Sequence, residues 1–379
     1  MRVLMTGGGT GGHVNPALAI ANTIREREPD SEIAFVGTSH GIENKLVPKE
    51  GYPLYHIEIR GLRRSLSLEN IKTAFMVLTS VHKGKKLIKE FKPDIVIGTG
   101  GYACFPILKA ASLCGIPTAL HESNAYPGVA VKMLESCVDR MFINFEECRS
   151  KLKHPERALC VGNPLRTKPG SISYDRARQQ MGITGDSSGS SKYRRFLLSC
   201  GGSMGAEQVN FAMIDLMKNY TSKHPEILHV HATGAIEYEI AKKRFEDTGL
   251  DKCPNLRLLE YIYDMPIEMA AADLVIARAG SITISELELE GKACILIPSP
   301  NVTENHQYKN AKVLADRGAA ILIEEKDITP ERMTEAVRHI LEDTAARQTM
   351  QKNIRTLAVA DACDRIYEDC KALIREKTT

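Results

Sequence analysis

Short apolar runs alternate along the chain with longer stretches in which apolar residues recur at helical spacing. In the first half the short runs are RVLMT, EIAFVG, DIVIGTGG, PTALHE, RMFIN and ALCVGN. In the second half they are RFLLSCGG, LHVHATG, LRLLEYI, DLVIARAG, ACILIPSP and AAILIEE. Runs this apolar are typical of strands buried on both faces of a parallel sheet. Alternating strands and helices, repeated in two halves, predict two doubly wound α/β domains.

A break in this rhythm marks the predicted domain boundary. The segment GNPLRTKPGS contains two prolines and two glycines and interrupts the alternation just before residue 170. We therefore predict an N-terminal domain over residues 1–165 and a C-terminal domain over 166–342. The remaining residues, 343–379, read as helices with no strand after them. We expect these helices to pack back on the N-terminal domain.

Composition narrows the class of protein. The chain has 379 residues, 43% of them hydrophobic and 26% charged, which is typical of a globular protein of two domains. A formal charge of +3 predicts no particular partner by itself, and we expect no nucleic-acid partner. The ten cysteines are scattered without a C-x-x-C pair and read as reduced thiols. No apolar run approaches the ~18 residues of a membrane span, so we expect a cytosolic or membrane-surface protein.

Four predicted strands lead directly into a glycine-rich turn and a helix. These segments are LMTGGGTGGHVNPALAI, IVIGTGGYACFPILKAA, LLSCGGSMGAEQVNFAM and VIARAGSITISELELEG. Two belong to each predicted domain. Because the carboxyl ends of parallel strands meet at one edge of a sheet, the two turns of each domain should lie close together.

The first turn has the features of a phosphate site. Gly7, Gly9 and Gly12 satisfy G-x-G-x-x-G, and glycine lets backbone N–H groups approach a ligand at a helix N-terminus. A dinucleotide site also needs an acidic residue after the second strand, but Gly37-Thr38-Ser39 stands there. A P-loop is excluded because no Lys-Ser or Lys-Thr follows the glycines. We predict a phosphate compound other than NAD or FAD, and no cofactor.

Two histidine features leave alternatives open. His13 begins the first helix, where the helix dipole lowers an imidazole pKa, so it is either a general base or a phosphate-contacting residue. His229 and His231 could begin a metal site, but their spacing favours ordinary residues on one face of a strand. There is no D-x-D motif, and we predict no metal.

The segment LENIKTAFMVLTSVHKGKKLIKEF predicts a helix with Ile71, Phe75 and Leu78 on one stripe, followed by Lys85 and Lys86. An apolar face beside basic residues can lie on an anionic membrane. The same stripe can pack on the sheet, and periodicity alone favours that second interpretation.

Taken together, the motifs resemble the MurG family of bacterial glycosyltransferases from Met1 to about Gly318. They are GGGTGGHVNPALAIA, GTGGYACFP, HESNAYPG, GNPLR, GGSMGA, ARAGSITISELELEG and ENHQYKNA. The resemblance implies the GT-B fold, in which two Rossmann-like domains face each other across a cleft. It implies inverting transfer of N-acetylglucosamine from UDP-N-acetylglucosamine to the 4-hydroxyl of the N-acetylmuramyl group of lipid I, giving lipid II.

The resemblance also assigns donor contacts. They are Thr10, Gly11, Gly12, Asn124, Arg166, Ser203, Ile262, Thr283, Glu286 and Gln307. Arg166 and Ser203 would bind the diphosphate, the backbone of Ile262 the uracil, and Glu286 the ribose hydroxyls. The run from Thr283 to Glu286 also fits a helix-capping box, which is the alternative for that pair. Many relatives have glutamine where this chain has His306, which leaves Gln307 intact.

On the acceptor side the resemblance implies that two turns hold the diphosphate of lipid I. The residues are Gly9, Gly12, His13, Gly100, Gly101 and Tyr102. His13 is the first choice for the general base and Glu122 the competitor. In this family the helix with Ile71, Phe75 and Leu78 faces the membrane, which reverses the interpretation from periodicity.

Two other functions compete with transfer. A UDP-N-acetylglucosamine 2-epimerase would share the donor pocket and need neither the lipid patch nor the turn at Gly98–Gly101. A non-catalytic nucleotide-sugar binding subunit would have no use for His13. The main interpretation implies a peripheral enzyme on the cytoplasmic face of the bacterial membrane. Its expected partners are UDP-N-acetylglucosamine, lipid I, the anionic membrane surface, and proteins of cell-wall synthesis and division.

Overall fold

A computed structural model describes residues 1–59, 68–166, 172–183, 193–202 and 205–378. The chain divides into two compact units. Unit 1 comprises Met1–Arg166 together with Asp361–Thr379, and unit 2 comprises Thr167–Ala360. The predicted fold class, two doubly wound parallel-sheet α/β domains, is confirmed.

Unit 1 is built on a seven-stranded sheet whose neighbouring strands all run parallel, in the order β3-β2-β1-β4-β5-β6-β7. Its strands are β1 (Arg2–Thr6), β2 (Glu32–Gly37), β3 (Leu54–His56), β4 (Ile95–Gly98), β5 (Thr118–Glu122), β6 (Arg140–Ile143) and β7 (Ala158–Cys160). The helices that follow them are α1 (Gly11–Arg27), α2 (Glu43–Lys49), α3 (Leu68–Phe91), α4 (Cys104–Leu113), α5 (Val129–Leu134) and α6 (Glu146–Arg149), with a 3₁₀ turn at Pro155–Arg157.

Unit 2 repeats the plan with six parallel strands in the order β10-β9-β8-β11-β12-β13. The strands are β8 (Arg195–Cys200), β9 (Ile227–Ala232), β10 (Leu256–Leu259), β11 (Leu274–Ala277), β12 (Ala293–Leu296) and β13 (Ile321–Leu322). The helices are α7 (Tyr174–Gln180), α8 (Glu207–Asn219), α9 (Tyr238–Asp247), α10 (Met265–Ala271), α11 (Ser281–Glu290), α12 (His306–Ala315), α13 (Pro330–Glu342) and α14 (Thr344–Arg355). Its 3₁₀ turns are Thr221–Lys223, Leu250–Lys252, Thr303–Asn305 and Glu325–Asp327.

The central strands are buried on both faces, as their apolar runs predicted. Val3, Leu4 and Met5 of β1 are each 0% exposed. Val3 and Met5 contribute to one apolar cluster and Leu4 to another, because successive side chains point to opposite faces of a sheet. Helices therefore cover both faces of the sheet.

The strand register brings the glycine-rich turns together in pairs. Thr6 at the end of β1 is opposite Gly98 at the end of β4. In unit 2, Cys200 at the end of β8 is opposite Ala277 at the end of β11. Within each unit, two strands that are distant in sequence thus end side by side, and each of them leads into one of the predicted turns.

The segment 343–379 differs from the expectation that it packs on the N-terminal domain as a whole. Helix α14 stays with unit 2, where Met350 belongs to the apolar cluster that β11 and β12 share. Helix α15 (Ala362–Thr378) belongs to unit 1 and packs on α1 through Ile366, Tyr367, Cys370 and Leu373. The physical reason is that apolar residues of α14 pack into the core of unit 2, whereas those of α15 pack on α1 in the core of unit 1.

Ion pairs hold α15 in place at the rim of unit 1. Glu28, just after α1, accepts from Lys371 at 2.7 Å and from the Tyr367 hydroxyl at 2.9 Å. Asp369 pairs with Arg140 of β6 at 2.8 Å. The bond from Lys371 is the largest influence on Glu28, and it outweighs burial to lower the pKa of that carboxyl to about 2.

Replacing Glu28 with glutamine should therefore destabilise unit 1 in a pH-dependent way. A lowered pKa means that the stabilisation is complete above the ordinary value of 4.5 and is lost as the pH falls through about 2. We expect Glu28→Gln to lower the free energy of unfolding by about 1–3 kcal/mol near neutral pH, less near pH ~3. Urea unfolding at both pH values measures the difference. Glu90→Gln, in an exposed pair with Lys86, is the control; an equal loss at both pH values would contradict the prediction.

Candidate active site

The two glycine-rich turns of unit 1 are in direct contact. A Cβ added at Gly101 would lie 2.4 Å from the carbonyl oxygen of Gly8, and one at Gly100 would lie 2.5 Å from Nδ1 of His13. Both glycines also have positive φ, of 85° and 105°. A larger residue at either position would therefore force the turns apart. The predicted juxtaposition within unit 1 is present.

His13 is fixed by two reciprocal hydrogen bonds to Thr99. Its Nδ1 lies 3.1 Å from the Thr99 carbonyl oxygen, and the Thr99 hydroxyl donates to the His13 carbonyl at 2.7 Å. A carbonyl oxygen only accepts, so Nδ1 carries the hydrogen, and in the neutral ring the lone pair is on Nε2. The contact thus selects the tautomer in which Nε2 can take a proton.

The amide groups of the first turn divide into two sets. The N–H of Gly9 donates to Oε2 of Glu43 at 2.9 Å, so this amide is occupied from within the protein. Helix α1 begins at Gly11, and in the described part of the chain no acceptor meets the N–H groups of Gly11 or Gly12. These two amides and the positive end of the helix dipole are the part of the turn that can accept an anion. Gly9 was predicted to contact a diphosphate; its amide points to Glu43.

Glu122 is buried and engaged on both oxygens. Oε1 accepts from the backbone and side-chain amides of Asn124 at 2.9 and 3.0 Å, and Oε2 accepts from the N–H of Gly128 at 2.8 Å. Burial raises the pKa of this carboxyl in spite of these donors. Glu122 therefore shapes the loop after β5 and holds Asn124. Its neighbour His121 is bonded to the Gly162 carbonyl, and burial lowers its pKa to about 4.

The second turn of unit 1 is shaped from beneath by a thiol. Sγ of Cys104 accepts from the N–H of Gly100 at 3.2 Å and lies 3.0 Å from the Thr6 carbonyl. Burial raises the pKa of this thiol to about 11, so it stays protonated and donates. Tyr102 follows the glycines and is 60% exposed. Gly101 and Tyr102 therefore form the accessible part of this turn.

In unit 2, buried histidines support the turn after β8. His229 and His231 lie in β9, as the strand interpretation predicted, and each is 2.9 Å from the Ser199 hydroxyl. His231 Nε2 is 3.0 Å from Oδ1 of Asn210 on α8, and Asn210 donates to the Thr233 carbonyl. Burial lowers the pKa of His231 to about 4, so the pair is neutral and purely hydrogen-bonding. Ser203, a predicted diphosphate contact in this turn, lies outside the described residues.

The capping box that was the alternative interpretation of Thr283 and Glu286 is not formed. Helix α11 begins two residues earlier, at Ser281, with Gly280 as the N-cap and no side-chain cap. Thr283 is therefore in the first turn and Glu286 in the second. Glu286 makes no hydrogen bond or ion pair to any described residue, and burial raises the pKa of its carboxyl to about 7. Glu286 is half-buried, and its carboxylate oxygens are acceptors that no described residue occupies.

The other predicted donor residues occupy separate loops. Ile262 is 5% exposed and anchors the loop after β10 between the exposed rings of Tyr261 and Tyr263. Oε1 of Gln307 accepts from the N–H of Ser299 at 2.8 Å, which orients its amide group at the start of α12. Arg166 ends unit 1 and forms an ion pair with Glu50.

The predicted membrane-facing residues are on α3. Leu78 is 69% exposed, Lys86 is exposed and Lys85 is partly buried. The side chains of Ile71 and Phe75 lie outside the described residues. Across the described ranges, no helix is both long and apolar enough to cross a bilayer.

Some functional neighbours gave no usable signal in the sequence. Glu43 and Thr99 fix the first turn of unit 1 but come from other strand–helix connections. Arg278 joins the turns after β11 and β12 by donating to the carbonyls of Ile297 and Pro298 and pairing with Glu325. Only the polarity of Arg278 within an apolar strand end could have indicated such a role.

Two doubly wound parallel sheets, each with paired glycine-rich turns at the start of helices, are typical of the GT-B fold. Residues 3–143 match the glycosyltransferase family 28 N-terminal domain, and residues 196–366 match the glycosyltransferase family 28 C-terminal domain. The chain belongs to glycosyltransferase family 28, and the resemblance to the MurG family is confirmed.

Individual relatives agree with this assignment. The UDP-N-acetylglucosamine–N-acetylmuramyl-(pentapeptide) pyrophosphoryl-undecaprenol N-acetylglucosamine transferase of Acetivibrio thermocellus is 42% identical over 377 residues, covering 100% of this chain and 99% of the relative. The crystal structure of Acinetobacter baumannii MurG has a TM-score of 0.76 at 26% identity, covering 98% of this chain and 99% of that one.

The epimerase alternative rests on fold alone. A putative UDP-N-acetylglucosamine 2-epimerase from Listeria monocytogenes has a TM-score of 0.72 at 15% identity, over 99% of this chain and 97% of that one. Identity this low shows a shared fold and carries no activity. The chain is therefore an enzyme of the glycosyltransferase class.

The raised pKa of Glu286 leads to a prediction about the pH dependence of the stability of unit 2. Because its pKa is raised above 4.5 in the folded state, its ionisation opposes folding, and the cost grows as the pH rises from 4.5 to about 7. We expect Glu286→Gln to stabilise unit 2 by about 1–3 kcal/mol at slightly alkaline pH and by little at about pH 4. Thermal unfolding across this pH range measures it. The exposed Glu239→Gln is the control, and a variant no more stable than wild type under alkaline conditions would refute the prediction.

Proposed function

We propose that the protein transfers N-acetylglucosamine from UDP-N-acetylglucosamine to the 4-hydroxyl of the N-acetylmuramyl group of lipid I, with inversion, to give lipid II. The observation that carries this is full-length identity of 42% to a relative named for that reaction, in a chain that has the glycine-rich turns such a reaction needs. The product is the precursor for peptidoglycan synthesis.

Unit 2 is the proposed donor-binding unit. The carboxylate of Glu286 accepts from the two ribose hydroxyls, which would use a half-buried acceptor that has no partner among the described residues. The backbone of Ile262 pairs with the uracil ring, and its buried side chain keeps that backbone in place. Gln307 binds a sugar hydroxyl through the amide group that Ser299 orients. Thr283, in the first turn of α11, and Ser203 contact the phosphates, as the family resemblance implies.

Unit 1 is the proposed acceptor-binding unit. The amide of Gly12 at the start of α1 binds the diphosphate of lipid I, and Gly101 and Tyr102 complete its surroundings. We extend this role to the adjacent amide of Gly11, which the family resemblance assigns to the donor. Backbone amides at a helix N-terminus need no metal to hold an anion. Asn124, held by Glu122, is proposed to contact the donor sugar, and Arg166 and Thr10 the donor phosphates.

His13 is the proposed general base. Its Nδ1–H is committed to Thr99, so Nε2 can take the proton from the acceptor hydroxyl as that oxygen attacks the anomeric carbon. The bond to UDP breaks in the same displacement, and helix N-termini stabilise the charge that develops on the diphosphate. Glu122 fits this role less well, because both its oxygens already accept hydrogen bonds from the loop it shapes.

The acceptor is a polyprenyl lipid, so the enzyme must reach a bilayer. We propose that α3 rests on the anionic cytoplasmic face of the cell membrane, with Leu78 among the lipid headgroups and Lys86 at the surface. Such a peripheral enzyme would meet the proteins of cell-wall synthesis and division at the same face.

Single-turnover transfer of labelled N-acetylglucosamine to a lipid I analogue tests the function and the base together. We expect His13→Ala to slow transfer by about 10²–10⁴-fold, which is the usual contribution of a general base. UDP affinity should be unchanged. The exposed His40→Ala is the matched control. Transfer at the wild-type rate by the His13 variant would reassign the base, whereas no transfer by the wild type would refute the function.

Vesicle co-sedimentation tests the membrane face. Leu78→Ser should weaken binding about tenfold, because it removes the burial of one leucine side chain. Lys86→Glu should weaken binding to vesicles that contain phosphatidylglycerol and leave binding to pure phosphatidylcholine unchanged. Lys352→Glu, an exposed lysine on α14, serves as the control. If both α3 variants bind like the wild type, another surface meets the membrane.

A further inference from the structure

Glu43 links two strand–helix connections of unit 1 that are far apart in sequence. It is the first residue of α2, and its side chain is 0% exposed. Oε2 accepts from the N–H of Gly9 at 2.9 Å. Oε1 accepts from both the N–H and the hydroxyl of Thr38, each at 2.9 Å. One carboxylate thus ties the turn after β1 to the turn after β2.

The glycines around Glu43 make room for this carboxylate. An added Cβ would lie 2.5 Å from Oε1 at Gly8, 2.6 Å from Cγ at Gly37 and 1.9 Å from Oε2 at Gly41. At each position a side chain would occupy the space that Glu43 fills. Part of the glycine density of the first turn therefore serves a protein carboxylate rather than a ligand.

The charge of Glu43 is maintained by its donors. Burial opposes ionisation, but the N–H groups of Gly9 and Thr38 outweigh it, and the pKa of Glu43 lies below its ordinary value. The side chain is therefore an anion, and both of its oxygens act only as hydrogen-bond acceptors. An ionised acceptor makes stronger hydrogen bonds to backbone amides than a neutral one does.

A second residue keeps the turn after β2 in place. Asn44 donates to the carbonyls of Thr38 and Gly41 at 2.8 and 2.9 Å, and its Oδ1 is 2.7 Å from Nε2 of His56. Glu43 holds Gly9 from the turn after β2, and this turn is itself hydrogen-bonded to β3.

The held turn leads directly to the acceptor site. Gly9 lies two residues before Gly11, the first residue of α1. The carbonyl group of the adjoining Gly8 packs against Gly101 of the second turn. Gly100 in turn meets the ring of His13. A shift of Gly9 would therefore move the anion-binding amides and the neighbours of His13 together.

We propose that Glu43 is a positioning residue for the acceptor: its carboxylate fixes the turn that presents the Gly11 and Gly12 amides and supports His13. The role in catalysis rests on the proposed transfer to lipid I, whereas the hold on Gly9 does not. Glu43 does not itself touch a substrate. It acts through the backbone of the turn.

Glu43→Gln is the test, because the two side chains have the same shape and the amide group cannot satisfy both N–H donors. One backbone N–H must then face an NH₂ group. We expect kcat/KM for the lipid I analogue to fall about 10–100-fold, as expected for a displaced catalytic constellation, whereas the affinity for UDP, most of whose proposed contacts are in unit 2, should fall no more than about threefold. Hydrogen exchange of the Gly9 amide should accelerate. Glu32→Gln, whose carboxylate is paired with Arg2 on the surface, is the matched control.

A purely structural role would lower UDP affinity, acceptor kinetics and thermal stability in parallel, and would overturn the proposal. Wild-type acceptor kinetics and wild-type exchange at Gly9 would overturn it as well. If Glu43→Gln does not fold, Glu43→Asp retains the charge at a shorter reach and should give the same split between the two substrates. Should the wild type not transfer at all, the proposed function fails, while Gly9 exchange still decides whether Glu43 holds the turn.

Discussion

The chemistry of each unit depends on a register between two parallel strands that are not consecutive. In unit 1, β1 has β2 on one side and β4 on the other, and Thr6 and Gly98 end side by side. Two turns that begin at adjacent points must either collide or interlock. Here they interlock, because Gly100 and Gly101 have no side chains and Thr99 exchanges hydrogen bonds with His13. The tautomer of that histidine is thus a consequence of sheet topology.

Two buried glutamates and one half-buried glutamate show how environment separates roles that the sequence does not distinguish. Glu43 and Glu122 each accept hydrogen bonds from backbone amides of the protein's own loops. Glu286 is half-buried with no donor among the described residues, and partial burial raises its pKa to about 7. The first two carboxylates organise backbone, while the third retains its capacity for an external partner. Counting donors around a carboxylate distinguishes these roles more surely than its position in a motif does.

Much of the fold was predictable because local patterns in the sequence indicate it. Apolar runs and glycine-rich turns identified the strands, the two units and the pairing of turns within each unit. His229 and His231 were recognised as strand residues from their spacing alone. The boundaries were less accessible: α11 begins at Ser281, which removes the capping box at Thr283, and α14 and α15 separate between units.

The support of the site could not be predicted from the sequence. Glu43 lies 34 residues from Gly9, and the Thr99 carbonyl lies 86 residues from the ring it orients. Such contacts exist only once the sheet has formed, and neither residue type carries a local signal. The sequence analysis explained the glycines of the first turn only by a phosphate site, and no local signal connected Gly37 and Gly41 with Glu43.

The connectivity of unit 1 affects how the protein is made. Unit 2 is inserted within unit 1, since residues 167–360 separate Arg166 from the segment that contains α15. At about 5–20 residues per second, a ribosome needs roughly 10–40 seconds to synthesise this insertion. During that time the surface of α1 that Ile366 and Leu373 later cover remains exposed to water. The nascent chain therefore presents this apolar surface of α1 to chaperones until α15 has been synthesised, so unit 1 is completed after unit 2.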